Sequence, residues 1–201
     1  MTVILRPKIP PEEVHIITLA AAVAVVKALE GSTGISAGIK WPNDIILDNR
    51  KVCGILTEMT CEMEAVNYIV LGMGINVNQS YEDFPCEIRE TAVSIKEYMI
   101  KKDMKFSREF LRNEIIQKIL FELEQIYIKI SNGDFTDIID EWKKYSVTLG
   151  KEVRAISKSN IFTGIAKDIT KDGRLVVDCT DGVTREVFYG EVSVRGILDY
   201  V

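Results

Sequence analysis

Lys40 ends a short apolar run and directly precedes Trp41, Pro42, Asn43 and Asp44. Proline's ring crowds the residue before it out of the helical region, so Trp41 is expected to be extended. Asn43 and Asp44 suit a tight turn, because their side chains can bond nearby backbone. Lys40 is therefore expected at a strand end, aimed by the turn that follows. A compact ammonium held still in this way suits an anionic group. The same residues also suit a solvated lysine on an edge strand.

Two glycine patterns bear on this lysine. Gly54 falls inside "KVCGILTEM", where a strand glycine often marks a close approach by a ligand or another backbone. Gly72 and Gly74 stand two apart near the end of "NYIVLGMGINVN", followed by Asn76. Residues two apart on a strand share a face, so both glycines clear the same side of a sheet. No helix follows and a third glycine is absent, which argues against a dinucleotide fingerprint. Each glycine alone also fits a bulge or a packing accommodation. Together, three neighbouring strands would supply a lysine, a bare stretch, and a second bare stretch ending in asparagine. That describes a slot against a sheet for a flat or extended ligand with an anionic group.

The elements that must position these residues are legible in outline. "TVILRP" reads as a strand, and Pro10, Pro11, Glu12 and Glu13 read as a helix start with Gly31 as its end. The helix between them is apolar nearly all round and so is expected to be buried, with His15 structural in its first turn. Strands follow at "SAGIKW", "DIILD", "KVCGILTEM" and "NYIVLGMGINVN", with a hairpin turn at Asp48-Asn49-Arg50. Short connections imply an antiparallel or mixed sheet with helices on one face, an α+β fold. From about Pro85 to Tyr145 the period becomes helical, with Ser107 as the N-cap of "SREFLRNEIIQKILFELEQIYIKI" and a shorter helix at "FTDIIDEWKKY". Short strands with Lys-Asp-Gly and Thr-Asp-Gly turns then predict a small SH3-like β-barrel. The division is placed at 1–146 and 147–201.

Composition narrows the function classes. The 201 residues carry a net charge of −5 with no cluster of cations, which argues against general nucleic-acid binding. With His15 the only histidine and no Cys-x-x-Cys spacing among Cys53, Cys61, Cys86 and Cys179, neither a zinc site nor a histidine-based triad is expected. Scattered cysteines without a signal peptide read as reduced thiols in the cytoplasm. The apolar segment "VHIITLAAAVAVVKAL" is read as too short to span a membrane.

The runs "GIKWPNDIILDNRKVCGILTEM" and "VLGMGINVN" resemble the biotin protein ligases, or biotin–[acetyl-CoA-carboxylase] ligases. The Lys-Trp-Pro-Asn-Asp run, the Lys-x-x-Gly-Ile-Leu-x-Glu run over 51–58 and the Gly-x-Gly-x-Asn run stand in the family's order. The ending "YGEVSVR", Tyr189 to Arg195, is similar to the family's C-terminal barrel. The resemblance implies ATP-dependent activation of biotin to biotinyl-5′-AMP, Mg2+ accompanying the nucleotide, and transfer to a lysine of a biotin carboxyl carrier domain. It implies that Lys40 contacts the carboxylate and the transferring phosphate, and that Gly54, Gly72, Gly74 and Asn76 line the pocket. Trp41, Asn43 and Asp44 would support Lys40 from behind, and Arg195 would lie toward the nucleotide.

The sequence also departs from the family. Its nine arginines are dispersed, and no Gly-Arg repeat like the family's adenylate loop occurs. The chain is therefore read as starting about a third of the way into the family's catalytic domain, with little activity alone and without the DNA-binding domain of bifunctional members. An unpaired sheet edge would then receive a second copy or a complementing N-terminal polypeptide. A non-catalytic biotin- or adenylate-binding module is the alternative. A lipoate ligase relative is the third reading, which the Trp-Pro-Asn-Asp run disfavours.

Overall fold

The computed structural model describes residues 1–62, 65–105, 111–157, 161–188 and 192–196. Strands β1 (Thr2–Leu5), β2 (Gly38–Lys40), β3 (Asp44–Leu47), β4 (Arg50–Glu62) and β5 (Ala65–Ile75) form one sheet in the order β1-β5-β4-β3-β2. Every ladder in it is antiparallel. The expected strands are present, and of the two sheet types left open, the antiparallel one is found. The β3–β4 hairpin closes on Asp48 and Asn49, both with positive φ, as a tight two-residue turn requires.

Helix α1 (His15–Thr33) lies against one face of this sheet, and α3 (Leu111–Ser131) and α4 (Thr136–Tyr145) cover its far side. A helix enclosed by a sheet below and helices above must be apolar all round, which accounts for its sequence. Its most apolar stretch reaches the length and hydropathy of a membrane span, correcting the shorter reading, yet it is buried inside the protein. Its polar groups find partners within these layers. Thr18 bonds Thr57 of β4 at 2.8 Å, and Lys27 meets Glu122 and Glu141 at 3.4 and 3.2 Å. The helix runs past Gly31 and ends at Gly34, whose φ of +70° supplies the left-handed cap.

The face of the sheet toward α1 carries Ile45, Cys53, Ile55, Ile69, Leu71 and Met73, all buried. The opposite face carries Ile4 and Leu56, both exposed. Among the described residues, α1, α3 and α4 thus lie on the side of the sheet that carries the core, as expected. Between the long strands and α3, a short helix α2 (Ile95–Lys101) is capped by Ser94, whose hydroxyl accepts from the Glu97 N–H at 3.1 Å. The expected N-cap Ser107 lies outside the described residues.

After Tyr145, strands β6 (Glu152–Ser157), β7 (Ile161–Ile169), β8 (Leu175–Cys179), β9 (Thr184–Val187) and β10 (Val192–Gly196) form a second antiparallel sheet in the order β10-β6-β7-β8-β9. Between β9 and β10, Tyr189 to Glu191 lie outside the described residues. The Lys-Asp-Gly and Thr-Asp-Gly turns are present, with Gly173 and Gly182 at φ of +85° and +84°.

Candidate functional site

Strand register lines up the residues singled out above. Lys40 pairs with Asp44, Asp44 with Gly54, and Gly54 with Gly74. Directly opposite residues in antiparallel strands share a face, so these four form one row across β2, β3, β4 and β5. At about 4.8 Å per strand the row spans about 14 Å. It lies on the side away from α1. Beside it, Gly72 pairs with Leu56 on one side and Thr2 on the other. A methyl group at Gly72 or Gly74 would meet little but strand backbone at 3.7–3.8 Å, so both leave the sheet surface open.

Gly54 is different. A Cβ there would stand 2.9 Å from Cε and 3.0 Å from Nζ of Lys51. The Lys51 ammonium lies across the bare glycine and meets Asp44 Oδ1 at 2.6 Å. Strict alternation would put residues 51 and 54 on opposite faces. A bulge prevents this: Ile45 pairs with Cys53 and Ile46 with Lys51, leaving Val52 as the extra residue on β4. Val52 and Cys53 both turn into the core, and Lys51 is carried round to the Gly54 face.

The bulge is held by Asn76. Its N–H donates to the Val52 carbonyl at 2.8 Å, and its side-chain amide donates to the carbonyls of Lys51 and Val93 at 3.4 and 3.2 Å. Lys51 is further pinned by its N–H to Thr91 O at 2.7 Å and by the Val93 N–H to its own carbonyl at 3.0 Å. Asn43 braces the other side, donating from its amide to Ile55 O at 2.6 Å while its carbonyl accepts from the Ile55 N–H at 3.0 Å. The 41–43 turn is thereby tied to β4 next to Gly54. The Trp41–Pro42 peptide is cis.

The two lysines differ in access. Lys40 is 7 % exposed, whereas the Lys51 side chain is 41 % exposed beside an Asp44 side chain of 20 %. Lys51 is thus an accessible cation on this face that sequence reasoning missed as a site residue. Only its place at the head of the 51–58 run pointed to it. Under the row, burial pushes the Cys53 thiol up to about 12, with Asp44 adding to the effect, so it stays protonated. Trp41 is buried and its ring is directed away from the row, toward the C-terminal domain. Arg195 lies on β10 opposite Arg154, in the second sheet rather than in the row. No group of three or more His, Cys, Asp or Glu side chains among the described residues is arranged to hold a metal ion.

Comparison with known proteins places the chain in a family. Residues 1–76 match the model of the biotin/lipoate A/B protein ligase family, and residues 148–195 match that of the biotin protein ligase C-terminal domain. The bifunctional ligase/repressor BirA of Bacillus subtilis is 38 % identical over 194 residues, covering 96 % of this chain and 57 % of that protein. The biotin–[acetyl-CoA-carboxylase] ligase of Mycobacterium tuberculosis is 31 % identical, covering 88 % of this chain and 61 % of that one. Apo biotin protein ligase from Aquifex aeolicus superposes with a TM-score of 0.76 at 25 % identity, over 97 % of this chain and 82 % of that one. The same ligase in complex with biotin and ATP gives 0.74, over 97 % and 78 %. The chain belongs to the biotin protein ligase family. It spans less than two-thirds of the length of these curated relatives.

Proposed function

We propose that this chain binds biotin and ATP along the row and takes part in forming biotinyl-5′-AMP, for transfer of biotin to a lysine of a biotin carboxyl carrier domain. The observation that carries this reading is the Lys51 ammonium lying over Gly54, in a row with Lys40, Asp44 and Gly74 on the open sheet face. The Aquifex relative with biotin and ATP bound supports it.

In the first step a biotin carboxylate oxygen bonds to the α-phosphorus, and the bond from that phosphorus to pyrophosphate breaks. Negative charge gathers on the phosphoryl oxygens between the two. Lys51 supplies a cation there that can leave Asp44 for the ligand without moving its backbone, which Thr91, Val93 and Asn76 hold. Preorganised charge of this kind acts without reorganisation at the moment of reaction. Lys40, deeper in the same row, adds to the positive field. Gly72 and Gly74 let the ligand lie flat on backbone. Gly54 leaves room for Lys51, and Asn76 acts on the ligand through the bulge. In the second step the carrier amine attacks the biotinyl carbonyl, and AMP leaves. Mg2+ enters with the nucleotide as part of the substrate. The four free cysteines suit a reducing cytoplasm.

Titration of the chain with biotin, lipoate, ATP and a non-hydrolysable biotinyl-adenylate analogue tests the reading. Saturable binding of biotin and the analogue, with lipoate excluded, is expected. Absence of binding to any of them, or preference for lipoate, overturns it.

A further inference from the structure

The turn that follows Lys40 is held from outside its own sheet. Trp41 is 1 % exposed, and its backbone N–H donates to Thr148 Oγ1 at 2.9 Å. Its indole N–H donates to the Gly173 carbonyl at 3.0 Å. Thr148 is fully buried in the segment joining α4 to β6, and Gly173 closes the β7–β8 turn. That turn is seated on α1: a Cβ at Gly173 would stand 2.9 Å from Leu19 Cδ1. On the other side of Lys40, the Ile39 carbonyl accepts from the Val147 N–H at 2.9 Å. A side chain at Gly38 would overlap Val147. Both sequence neighbours of Lys40 are thus bonded to residues 147–148, and the residue after it is bonded to the second domain as well.

We propose that Trp41 and Thr148 are positioning residues, through which the C-terminal domain sets the direction of Lys40 and Asp44 in the row. This rests on the ligand-binding reading given above. The coupling is short and specific. Loss of the Thr148 hydroxyl would leave the Trp41 N–H without its bond in a site closed to water, so the 40–44 backbone must move to satisfy it. Lys40 sits one residue away, and Asp44, the partner of Lys51, sits at the far end of the same turn. The small domain therefore acts on the site without supplying a group that touches the ligand.

Three variants of the full chain test this: Thr148→Val, which removes the hydroxyl at nearly constant shape, Thr148→Ser, which restores it, and Trp41→Phe, which removes the indole donor together with part of the buried ring. Affinity for the biotinyl-adenylate analogue is measured by calorimetry, and amide exchange of residues 38–44 is measured without ligand. Thr148→Val and Trp41→Phe are expected to weaken affinity about tenfold, and Thr148→Ser to return it to within about twofold of the parent. Exchange at 38–44 should quicken in the first two and not in Thr148→Ser, while β5 keeps its protection. Parental affinity and exchange in both deletion variants overturn the inference, as does failure of Thr148→Ser to rescue. Should Trp41→Phe not fold, the Thr148 pair decides. Should the parent chain not bind the analogue, the ligand reading fails, and exchange at 38–44 alone decides whether Trp41 and Thr148 position the turn.

Discussion

Replacing Lys51 by methionine separates what this lysine does for the fold from what it does for a ligand. The methionine keeps most of the apolar stem that lies over Gly54 and loses the charge. In the free protein the Lys51–Asp44 pair is 2.6 Å long, with side chains 41 % and 20 % exposed. So much access to water limits its worth to about 0.2–1 kcal/mol of stability. A domain of this size should lose no more than about 4 °C of Tm for a change of 1 kcal/mol. Against a bound carboxylate or phosphate the same ammonium makes a charge-assisted hydrogen bond, worth about 1.5–3 kcal/mol. Affinity for the adenylate analogue should therefore fall about 10- to 150-fold. Calorimetry and a thermal melt on the same preparation read both quantities. Unchanged affinity in a folded Lys51→Met protein would refute the assignment. A collapse in Tm would show that the pair serves the fold.

Other perturbations have equally definite outcomes. Lys40→Ala should weaken the analogue by a similar factor of about 10–150, but unlike Lys51→Met it should also lower Tm clearly, because its side chain is buried. Gly164→Ala should unfold the second sheet, since its Cβ would lie 2.7 Å from Cys179 Cα and even closer to the Asp178 carbonyl; loss of the β-sheet circular dichroism of that domain is the check. Burial pulls the His15 imidazole below its ordinary 6.5, with Asp172 opposing and Arg174 adding. The unfolded chain then takes up its proton first as pH falls, so stability is lost from about pH 6.5 downward, and the Tm of His15→Gln should depend less on pH across that range. Thiol reagents at pH 8 should label exposed Cys61 and Cys86 readily, and buried Cys53 and Cys179 only on unfolding, followed by mass spectrometry of the peptides.

The sheet was legible because local rules govern it. Alternation, the Asp48-Asn49 turn and the apolar runs specify each strand without distant information, and Lys40, Gly54 and Gly74 then fall into one row. The end of α1 was misread at Gly31 because two glycines compete three residues apart, and only the left-handed backbone at Gly34 decides between them. Lys51 was hidden by the bulge at Val52, which breaks the two-residue period on which the reading of faces depends. Trp41 was read as support for Lys40 through the local turn, yet its partners lie 107 and 132 residues further along the chain. No periodicity carries a contact of that separation. Asn76 was read as pocket lining from its place after the glycines, whereas its amide is committed to carbonyls of Lys51 and Val93.

The extra residue at Val52 makes the distance from lysine to glycine a counted quantity. Most positions in β4 can change identity and leave the pleat intact. Deleting one residue between Lys51 and Gly54 would remove the bulge and leave the two on one face by plain alternation, whereas keeping the count and losing the bulge would swing the ammonium through the sheet into the layer beneath α1. Residue count and bulge are therefore linked in this segment: an odd separation between lysine and glycine needs one extra residue for both to reach the same face, and an even separation needs none.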